Sequence, residues 1–394
     1  MSVNRYFRIL SVVAVVAVCT VLVNGGKAQS ASAGQNSGPQ SSSNPPVPKK
    51  AEEQFKNIQV LKGIPADQLF PTMQFITASL GVECEFCHVQ NAFEKDDKKP
   101  KETARKMMEM MFAINQNNFE GHREVTCYSC HRGNANPVAI PAVMTEEPEA
   151  GMGAPHQPGG EKAETKQPNG PTAQQLIDKY VQASGGASAI DKVTSLVMKG
   201  TIDFGGKSLP IDIYSKNPEK RISFTHLSEG DSVTAFNGQE GWLGSPGRPL
   251  REMQGSDLDA AAIDADLHLA THLEKMFSKV QVRGGEKIDD KDAYEVLGQR
   301  EGKTPIRLYF DQQSGLLLRL VRFGDTALGW LPTQIDYADY REVNGVKVPY
   351  RWTLARPSGK FTIQVSELNQ NVPVDDAKFV KPASPPEPSK ATTK

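Results

Sequence analysis

The chain has 394 residues, of which 38% are hydrophobic, and this is enough material for two folded domains with linkers between them. Its 45 basic and 46 acidic residues give a formal net charge of −1. Such a balance gives no reason to expect a nucleic-acid partner or attachment to an anionic membrane surface.

The N-terminus has the pattern of an export signal. Arg5 and Arg8 precede an apolar run over residues 9–23, and the small residues Ala31-Ser32-Ala33 form a suitable cleavage site. The apolar run is shorter than the roughly 20 residues needed to span a bilayer. We therefore expect cleavage there, which also removes Cys19, and an exported protein in the periplasm or at the periplasmic face of the cell envelope.

The next part of the chain is predicted to change from a tether to helices. Polar residues and prolines dominate residues 34–51, a composition typical of a disordered tether. Pro71 is placed to occupy the first turn of a helix that runs to Leu80, with Gly81 as its C-cap. A second helix is predicted over residues 100–118, after a charged loop.

A five-residue pattern occurs twice in this helical part. It is Cys84-Glu85-Phe86-Cys87-His88 in the first copy and Cys127-Tyr128-Ser129-Cys130-His131 in the second. Two thiols one short turn apart suit addition to the two vinyl groups of a haem, and the histidine that follows suits ligation of its iron. Each copy therefore predicts one covalently attached haem c. Without Cys19, no cysteine is left over for a disulfide.

Two other interpretations of the cysteine pairs stay open at this point. Four thiolates in two CxxC pairs can form a structural zinc site, and a single CxxC can act as a redox dithiol. Neither requires a histidine directly after both pairs, and zinc-binding pairs usually lie closer together along the chain. The pattern therefore favours two haem groups.

Methionines precede both motifs and are candidate axial ligands. Met73 lies about fifteen residues before His88, a spacing that suits a thioether reaching back over a haem, although a methionine equally fills core space. The second helix carries Met107, Met108, Met110 and Met111. Positions 107, 110, 111 and 114 share one helix face, which we expect to be buried against a porphyrin, with at most one methionine on the iron. His122 is either a further partner of a haem or a loop residue in solvent.

Three segments around these motifs resemble the cytochrome c subunit of photosynthetic reaction centres. They are residues 71–88, 104–115 and 125–133, within a match over about residues 52–140. In that family, a helix before each CxxCH donates an axial ligand, usually methionine. The resemblance implies thioether positions and iron ligands at Cys84, Cys87, His88 and Met73 for the first haem, and at Cys127, Cys130, His131 and Met107 for the second. The family subunit carries four haems, so this chain resembles half of it.

The remainder of the chain is predicted to contain a linker and a β-rich domain. Prolines and glycines punctuate residues 141–171 without an apolar period, as in a linker. Helices are predicted over residues 173–184 and 256–277, and Asn344-Gly345 predicts a two-residue hairpin. Strands are predicted over residues 196–204, 209–214, 221–226, 232–236, 293–297, 306–310, 316–323, 334–340, 346–354 and 361–368. This pattern indicates an α+β domain with a large curled antiparallel sheet.

The β-rich domain resembles the periplasmic lipoprotein-carrier superfold, in which a half-open barrel shelters an acyl chain. The residues that carry the resemblance are a helix followed by Gly185-Gly186, turns at residues 237–242 and 309–315, and residues 339–345 with Pro349. The resemblance implies an apolar ligand as a candidate partner of this domain.

The predicted fold class is multidomain, with a mainly α dihaem cytochrome c domain followed by the α+β domain. The predicted segments are a signal peptide at 1–33, a tether at 34–51, the dihaem domain at 52–140, a linker at 141–171, the β-rich domain at 172–382 and a disordered tail at 383–394. The predicted function is one-electron transfer between a donor and an acceptor redox protein, with a membrane electron-transfer complex as a candidate partner, and not catalysis. Two alternatives stay open: an enzyme or sensor with a five-coordinate haem, and an envelope protein that binds a lipid or a partner and carries an accessory haem module.

Overall fold

The computed structural model of the protein describes residues 49–137, here called the helical module, and residues 170–382, here called the sheet region. Both belong to one compact unit. The signal peptide, tether, linker and tail predicted from the sequence lie wholly or almost wholly outside these residues. No helix within the described ranges has the length and apolar character of a membrane span.

The helical module contains five α-helices and one 3₁₀ helix, Ala66–Gln68. The α-helices are α1 Ala51–Gln54, α2 Leu69–Leu80, α3 Cys84–Cys87, α4 Lys99–Asn118 and α5 Cys127–His131. The two helices expected from the sequence are confirmed as α2 and α4. Each CxxCH motif contributes a short helical turn of its own, α3 or α5.

The folded part begins slightly before residue 52. Lys50 pairs with Pro65 in an isolated β-bridge, and the backbone N–H of Ala51 donates to the Ile64 carbonyl oxygen at 2.8 Å. The Ala51 side chain is fully buried. The last residues of the predicted tether therefore pack on the helical module.

Gly81 ends α2 as the sequence predicts. Its φ of 65° lies in the left-handed region that glycine adopts without a steric penalty, and its N–H donates to the Thr77 carbonyl oxygen at 2.8 Å. A β-carbon at this position would lie 2.0 Å from the carbonyl oxygen of Gly133, which follows α5. Glycine is therefore required both for the cap and for the close packing of α2 against the second motif.

The sheet region contains four α-helices, one 3₁₀ helix at Asp376–Phe379, and thirteen strands. The α-helices are α6 Ala173–Ala183, α7 Ala187–Ile190, α8 Gly255–Ala265 and α9 Leu269–Met276. The strands are β1 Ser195–Phe204, β2 Lys207–Lys216, β3 Lys220–Leu227, β4 Gly230–Phe236, β5 Gly241–Gly244, β6 Arg251–Glu252, β7 Lys279–Ile288, β8 Lys291–Arg300, β9 Lys303–Asp311, β10 Leu317–Asp325, β11 Trp330–Val343, β12 Val346–Arg356 and β13 Gly359–Gln370. All ten strands expected from the sequence are present, whereas α7, β5, β6 and β7 were not predicted.

The strands form a single antiparallel sheet. Its order is β6-β5-β4-β3-β2-β1-β13-β12-β11-β10-β9-β8-β7. Neighbouring strands follow one another in the chain except for β1 and β13, which pair from Leu196 with Gln370 to Phe204 with Phe361. Because β6 and β7 are opposite edges, the sheet is open. The α+β fold class predicted for this part is confirmed.

The hairpin between β11 and β12 turns at Asn344-Gly345, as predicted. The two residues have φ values of 49° and 81°, the positive pair that a two-residue type I′ turn requires. Val343 and Val346 pair directly across the turn, which sets the register of both strands.

Helices α6, α8 and α9 pack on the sheet through one hydrophobic core. Thr172 caps α6, because its hydroxyl accepts from the Gln175 N–H at 3.2 Å and its own N–H donates to the Gln175 side chain at 2.8 Å. The buried side chains of this core include Leu176, Ile177, Ile263, Leu273, Val296, Leu308, Phe310 and Leu320. The amphipathic helices and the inward face of the strands thus bury one another.

The loop between β10 and β11 packs against the helical module. The hydroxyl of Thr326 closes this loop by accepting from the N–H groups of Leu328 and Gly329 at 3.2 and 3.1 Å. Leu328 at its tip is 0% exposed. Six buried side chains meet there and are called the joint cluster: Leu61, Phe75, Ile76, Met108, Met111 and Leu328. An ion pair between Arg123 and Asp325, 2.6 Å long, lies beside it.

Candidate functional site

Each CxxCH motif occupies one helical turn of the helical module. The two cysteines of a motif are three residues apart, so their thiols lie on the same side of α3 or of α5. Cys84 and Cys130 are exposed, Cys87 and Cys127 are partly buried, and all four thiols are free. Each pair is therefore available to a group that bonds to both sulfurs.

The two motif histidines are oriented in the same way. The Nδ1–H of His88 donates to the Phe93 carbonyl oxygen at 2.9 Å, and that of His131 donates to the Asn134 carbonyl oxygen at 2.9 Å. Because a carbonyl oxygen only accepts hydrogen bonds, Nδ1 carries the proton in both rings and Nε2 keeps its lone pair. Hydrogen bonds of this kind fix the tautomer of histidines that bind metals.

The four methionines of α4 divide between two faces. Met108 and Met111 are 7% and 5% exposed and belong to the joint cluster, whereas Met107 and Met110 are 39% and 48% exposed. Met107, Met110 and Met111 were expected to share a face against a porphyrin. Met111 is instead covered by Leu328 and the rest of the joint cluster, so only Met107 and Met110 remain exposed on that face. Met73 on α2 is partly buried against the same cluster.

Apolar side chains are exposed mainly on the helical module. Ten large hydrophobic side chains are exposed in the described residues, and only Phe204 and Val380 among them lie in the sheet region. The other eight are Phe55, Phe70, Phe86, Phe93, Met107, Met110, Phe112 and Phe119. Phe86 lies within the first motif, and the ring of Phe93 lies 5.5 Å from that of His88, so part of this apolar surface borders the first motif. Together with paired thiols and oriented imidazoles, it fits a large planar group such as haem.

Burial raises the pKa of one thiol in each motif. Desolvation raises the pKa of Cys127 to about 11 and also raises the pKa of Cys87. Both sulfurs are therefore protonated at neutral pH, which slows their oxidation before any group is attached.

A cationic group lies behind the first motif and was not predicted from the sequence. Lys101 is 9% exposed, and its Nζ donates to the Phe93 carbonyl oxygen at 2.8 Å. It also pairs with Asp96 at 3.0 Å, and Arg105 pairs with the same carboxylate at 2.9 Å. Hydrogen bonds from Arg105, Asn57 and Lys101 hold the pKa of Asp96 well below its usual range. Lys101 lies in a lysine-rich stretch, so no pattern of residues indicated its role.

Asn115 positions the segment before the second motif. Its buried side chain donates to the Val125 carbonyl oxygen at 2.7 Å and accepts from the Val125 N–H at 2.9 Å. This pair of hydrogen bonds ties α4 to the chain two residues before Cys127. An asparagine within a polar stretch of helix carries no distinctive pattern, and sequence reasoning missed it.

Two further observations concern metal-binding groups. His122 is exposed, and only its backbone forms hydrogen bonds within the described residues. Across residues 49–137 and 170–382, no three His, Cys, Asp or Glu side chains converge to hold a metal ion. The two cysteine pairs lie on different helical turns, α3 and α5.

A cavity of about 230 Å³ lies between the sheet and helices α6 to α9. Its walls are mostly apolar and include Ile263, Ile335 and Trp352, while Arg221 and Gln370 add polar atoms. The Gln370 Oε1 atom is buried and has no hydrogen-bond partner among the described residues. The cavity is suited to an apolar molecule with one polar end.

The fold and site define a class of protein: a helical module with two CxxCH motifs followed by an open antiparallel sheet. Residues 20–182 match the family model described as photosynthetic reaction centre cytochrome C subunit. The resemblance to this family predicted from the sequence is confirmed.

Curated relatives of the helical module are cytochromes. The photosynthetic reaction center cytochrome c subunit of Thermochromatium tepidum is 37% identical over 93 residues, which are 22% of this chain and 23% of the relative. Cytochrome c-554 of Chloroflexus aurantiacus is 34% identical over 87 residues, which are 20% of this chain and 21% of the relative. The chain thus spans about a quarter of the length of these relatives.

Solved structures are similar over about half of the chain. A DUF1329 family protein from Desulfovibrio piger covers 52% of this chain and 96% of its own, with 16% identity and a TM-score of 0.37. A LolA superfamily protein from Nitrosomonas europaea covers 54% of this chain and 99% of its own, with 16% identity and a TM-score of 0.37.

Proposed function

We propose that this protein is an exported c-type cytochrome with two haem groups that passes single electrons between a donor and an acceptor redox protein. The observation that carries the proposal is the matched orientation of His88 and His131, whose Nδ1–H groups are held by backbone carbonyls while Nε2 stays free. A haem c group, when bound, supplies an iron centre that changes its oxidation state by one electron.

In this proposal the chain supplies the same four groups to each haem. Cys84 and Cys87 would hold the first haem as thioethers, with His88 and Met73 on its iron, and Cys127 and Cys130 would hold the second, with His131 and Met107. Two chain ligands on each iron would leave no position for a substrate. This arrangement favours a carrier over an enzyme.

The exposure of the α4 methionines supports Met107 as the second distal ligand. Met108 and Met111 are committed to the joint cluster, whereas Met107 and Met110 are open to a ligand on the other side. Of these two, Met107 has the position implied by the resemblance to the reaction-centre subunits.

The proposal includes a cellular context. The signal peptide predicted at residues 1–33 places the protein in the periplasm or at the periplasmic face of the envelope, where haem c is attached. Because the relative from Thermochromatium tepidum is named as a reaction-centre subunit, a membrane electron-transfer complex is a candidate partner. The predicted cytochrome domain at residues 52–140 would make that contact.

The first test is an optical titration of the full chain produced with haem c maturation. We expect two covalent haems per chain, a ferric methionine charge-transfer band, and no spectral change when carbon monoxide is added to the reduced protein. A carbon monoxide shift would indicate an open iron position and support the enzyme or sensor alternative. Absence of covalent haem would overturn the proposal and would favour the alternative interpretation, in which the four cysteines bind zinc.

Two matched variants test the ligand assignment on α4. Met107→Leu should remove about half of the methionine band, because one of two irons loses its sulfur ligand, while Met110→Leu should leave the band unchanged. The opposite pattern would assign Met110 as the ligand.

The cavity of the sheet region supports a second candidate function, which is binding of an apolar ligand. We propose that an apolar chain occupies the space beside Ile263 and Ile335, with its polar end near Arg221 and Gln370. Organic extraction of the purified full chain, followed by mass spectrometry, should release a lipid. Ala270 lines the cavity, so Ala270→Phe should fill it and abolish lipid binding. Recovery of an equal amount of lipid from this variant would show that the lipid binds elsewhere.

A further inference from the structure

The backbone carbonyl that orients the first motif histidine also accepts a hydrogen bond from a lysine. The Phe93 oxygen lies 2.9 Å from Nδ1 of His88 and 2.8 Å from Nζ of Lys101. The same Nζ donates to the Lys95 carbonyl oxygen at 2.7 Å, so its position is fixed by the backbone of the loop. The buried ammonium group of Lys101 and the imidazole of His88 therefore share one acceptor, the Phe93 oxygen.

The charge of this group is only partly neutralised. Lys101, Asp96 and Arg105 are here called the basic cluster, and their formal charges sum to +1. The side chains of Lys101 and Arg105 are 11% and 14% exposed, so water screens them less than surface charges. A second ammonium, that of Lys98, donates to the carbonyl oxygen of Glu85 inside the first motif.

The second motif has no equivalent of Lys101. The Asn134 carbonyl oxygen accepts from His131 at 2.9 Å, and no lysine or arginine side chain donates to it within the described residues. The side chain that braces this motif is the neutral Asn115. The two histidines are thus alike in orientation and different in the charge behind them.

We infer that Lys101 raises the reduction potential of the haem bound to His88 above that of the haem bound to His131, so that an electron on the protein settles at the first site. The inference rests on the proposed function. Lys101 is a positioning residue that acts through the Phe93 carbonyl, and the electron moves between the two sites without any bond forming or breaking.

Two physical effects act in the same direction. The positive basic cluster favours the reduced state, because reduction removes one unit of positive charge from the site. In addition, the Phe93 oxygen shares its lone pairs between two donors, which weakens its hydrogen bond to His88. A weaker bond makes the imidazole a poorer electron donor to ferric iron. Next to the second histidine, Arg132 is exposed, so water screens its charge. In the described residues, His131 shares its carbonyl acceptor with no buried cation.

The test is a redox titration of the full haem-loaded chain, with haem counted in each variant. In Lys101→Met, we expect the higher of the two midpoint potentials to fall, with the lower one unchanged. The expected change is about tenfold in the ratio of reduced to oxidised first haem at a fixed potential, or about 59 mV for one electron. Lys99→Met removes the same charge from an exposed position on α4 and should leave both potentials unchanged.

A second variant has the opposite expected sign. Asp96→Asn removes the carboxylate of the basic cluster and should raise the higher potential. The double variant Cys127→Ser/Cys130→Ser, which cannot attach the second haem, assigns that potential to the first site. Unchanged potentials in both Lys101→Met and Asp96→Asn, with two haems present, would overturn the inference alone. A wild-type chain without covalent haem would overturn the proposed function instead.

Discussion

Asp96 shows how one side chain can organise the loop that follows the first motif. Its carboxylate accepts hydrogen bonds from Arg105 at 2.9 Å and Lys101 at 3.0 Å, both on α4, and from Asn57 at 3.0 Å in the segment after α1. The pKa of Asp96 is held low by these donors because they stabilise the ionised form. The loop that carries Phe93 therefore depends on the ionisation of one residue.

The stability contributed by Asp96 should depend on pH. Because its pKa is depressed in the folded chain, the contribution is present above the unfolded pKa of about 3.9 and is lost as pH falls through the folded pKa. Asp96→Asn should lower the free energy of unfolding at neutral pH, and the difference from wild type should shrink in acid. Denaturant titrations at several pH values measure this.

The neighbouring carboxylate gives the control for this experiment. Asp97 is exposed and has no ion pair within the described residues, so Asp97→Asn should match wild type throughout. A destabilisation of Asp96→Asn that does not change with pH would contradict the electrostatic explanation.

At the scale of the elements, α4 has two separate tasks. One face contributes Met108 and Met111 to the joint cluster, and its last turns hold Asn115 against Val125. The adjoining face leaves Met107 and Met110 exposed. The helix therefore holds the segment before the second motif in place and also exposes two candidate ligands, Met107 and Met110.

Removal of the Asn115 side chain should destabilise the helical module. Asn115→Ala leaves the N–H and the carbonyl of Val125 without these partners, and we expect a loss of roughly 1–3 kcal/mol in the free energy of unfolding. Asn118 lies on the same helix, is exposed and bonds only to the Ile114 carbonyl. Asn118→Ala should change stability by less than about 0.5 kcal/mol. Equal losses in both variants would show that the bridge to Val125 contributes nothing.

At the scale of the whole molecule, the helical module and the sheet region share a core. Leu328 on the β10–β11 loop is enclosed by residues of α2 and α4. A β-carbon on Gly329 would lie 2.5 Å from the ring of Phe75, which is itself buried. Because Gly329 has no side chain, the β10–β11 loop can pack closely against Phe75 of α2.

Gly329→Ala should therefore destabilise the protein by about 1–3 kcal/mol, because the Phe75 ring must move within a packed core. Gly324 lies in the same hairpin, and a β-carbon there would have no neighbour closer than 3.8 Å. We expect Gly324→Ala to stay within about 0.5 kcal/mol of wild type in the same thermal or denaturant unfolding experiment. If Gly329→Ala were equally well tolerated, the contact with Phe75 would not be tight.

Features that depend on chain neighbours were predictable. The CxxCH spacing, the Gly81 cap and the Asn344-Gly345 turn follow from local sterics and covalent geometry, and the structure places each where the sequence indicated. The strands that were missed have a local cause as well. β5 and β6 are short, and Gly284-Gly285 interrupts β7 at a register shift, so none shows an alternating apolar pattern.

The sequence by itself determined that two thiol pairs, each followed by a histidine, lie on helical turns ahead of a β meander. Only the tertiary structure decided which methionines of α4 are buried, because Met108 and Met111 are covered by a cluster that includes Leu328, more than 200 residues later in the chain. The position of Lys101 behind His88 was decided in the same way. Contacts between distant segments depend on how preformed elements pack, and no local period in the chain encodes that packing.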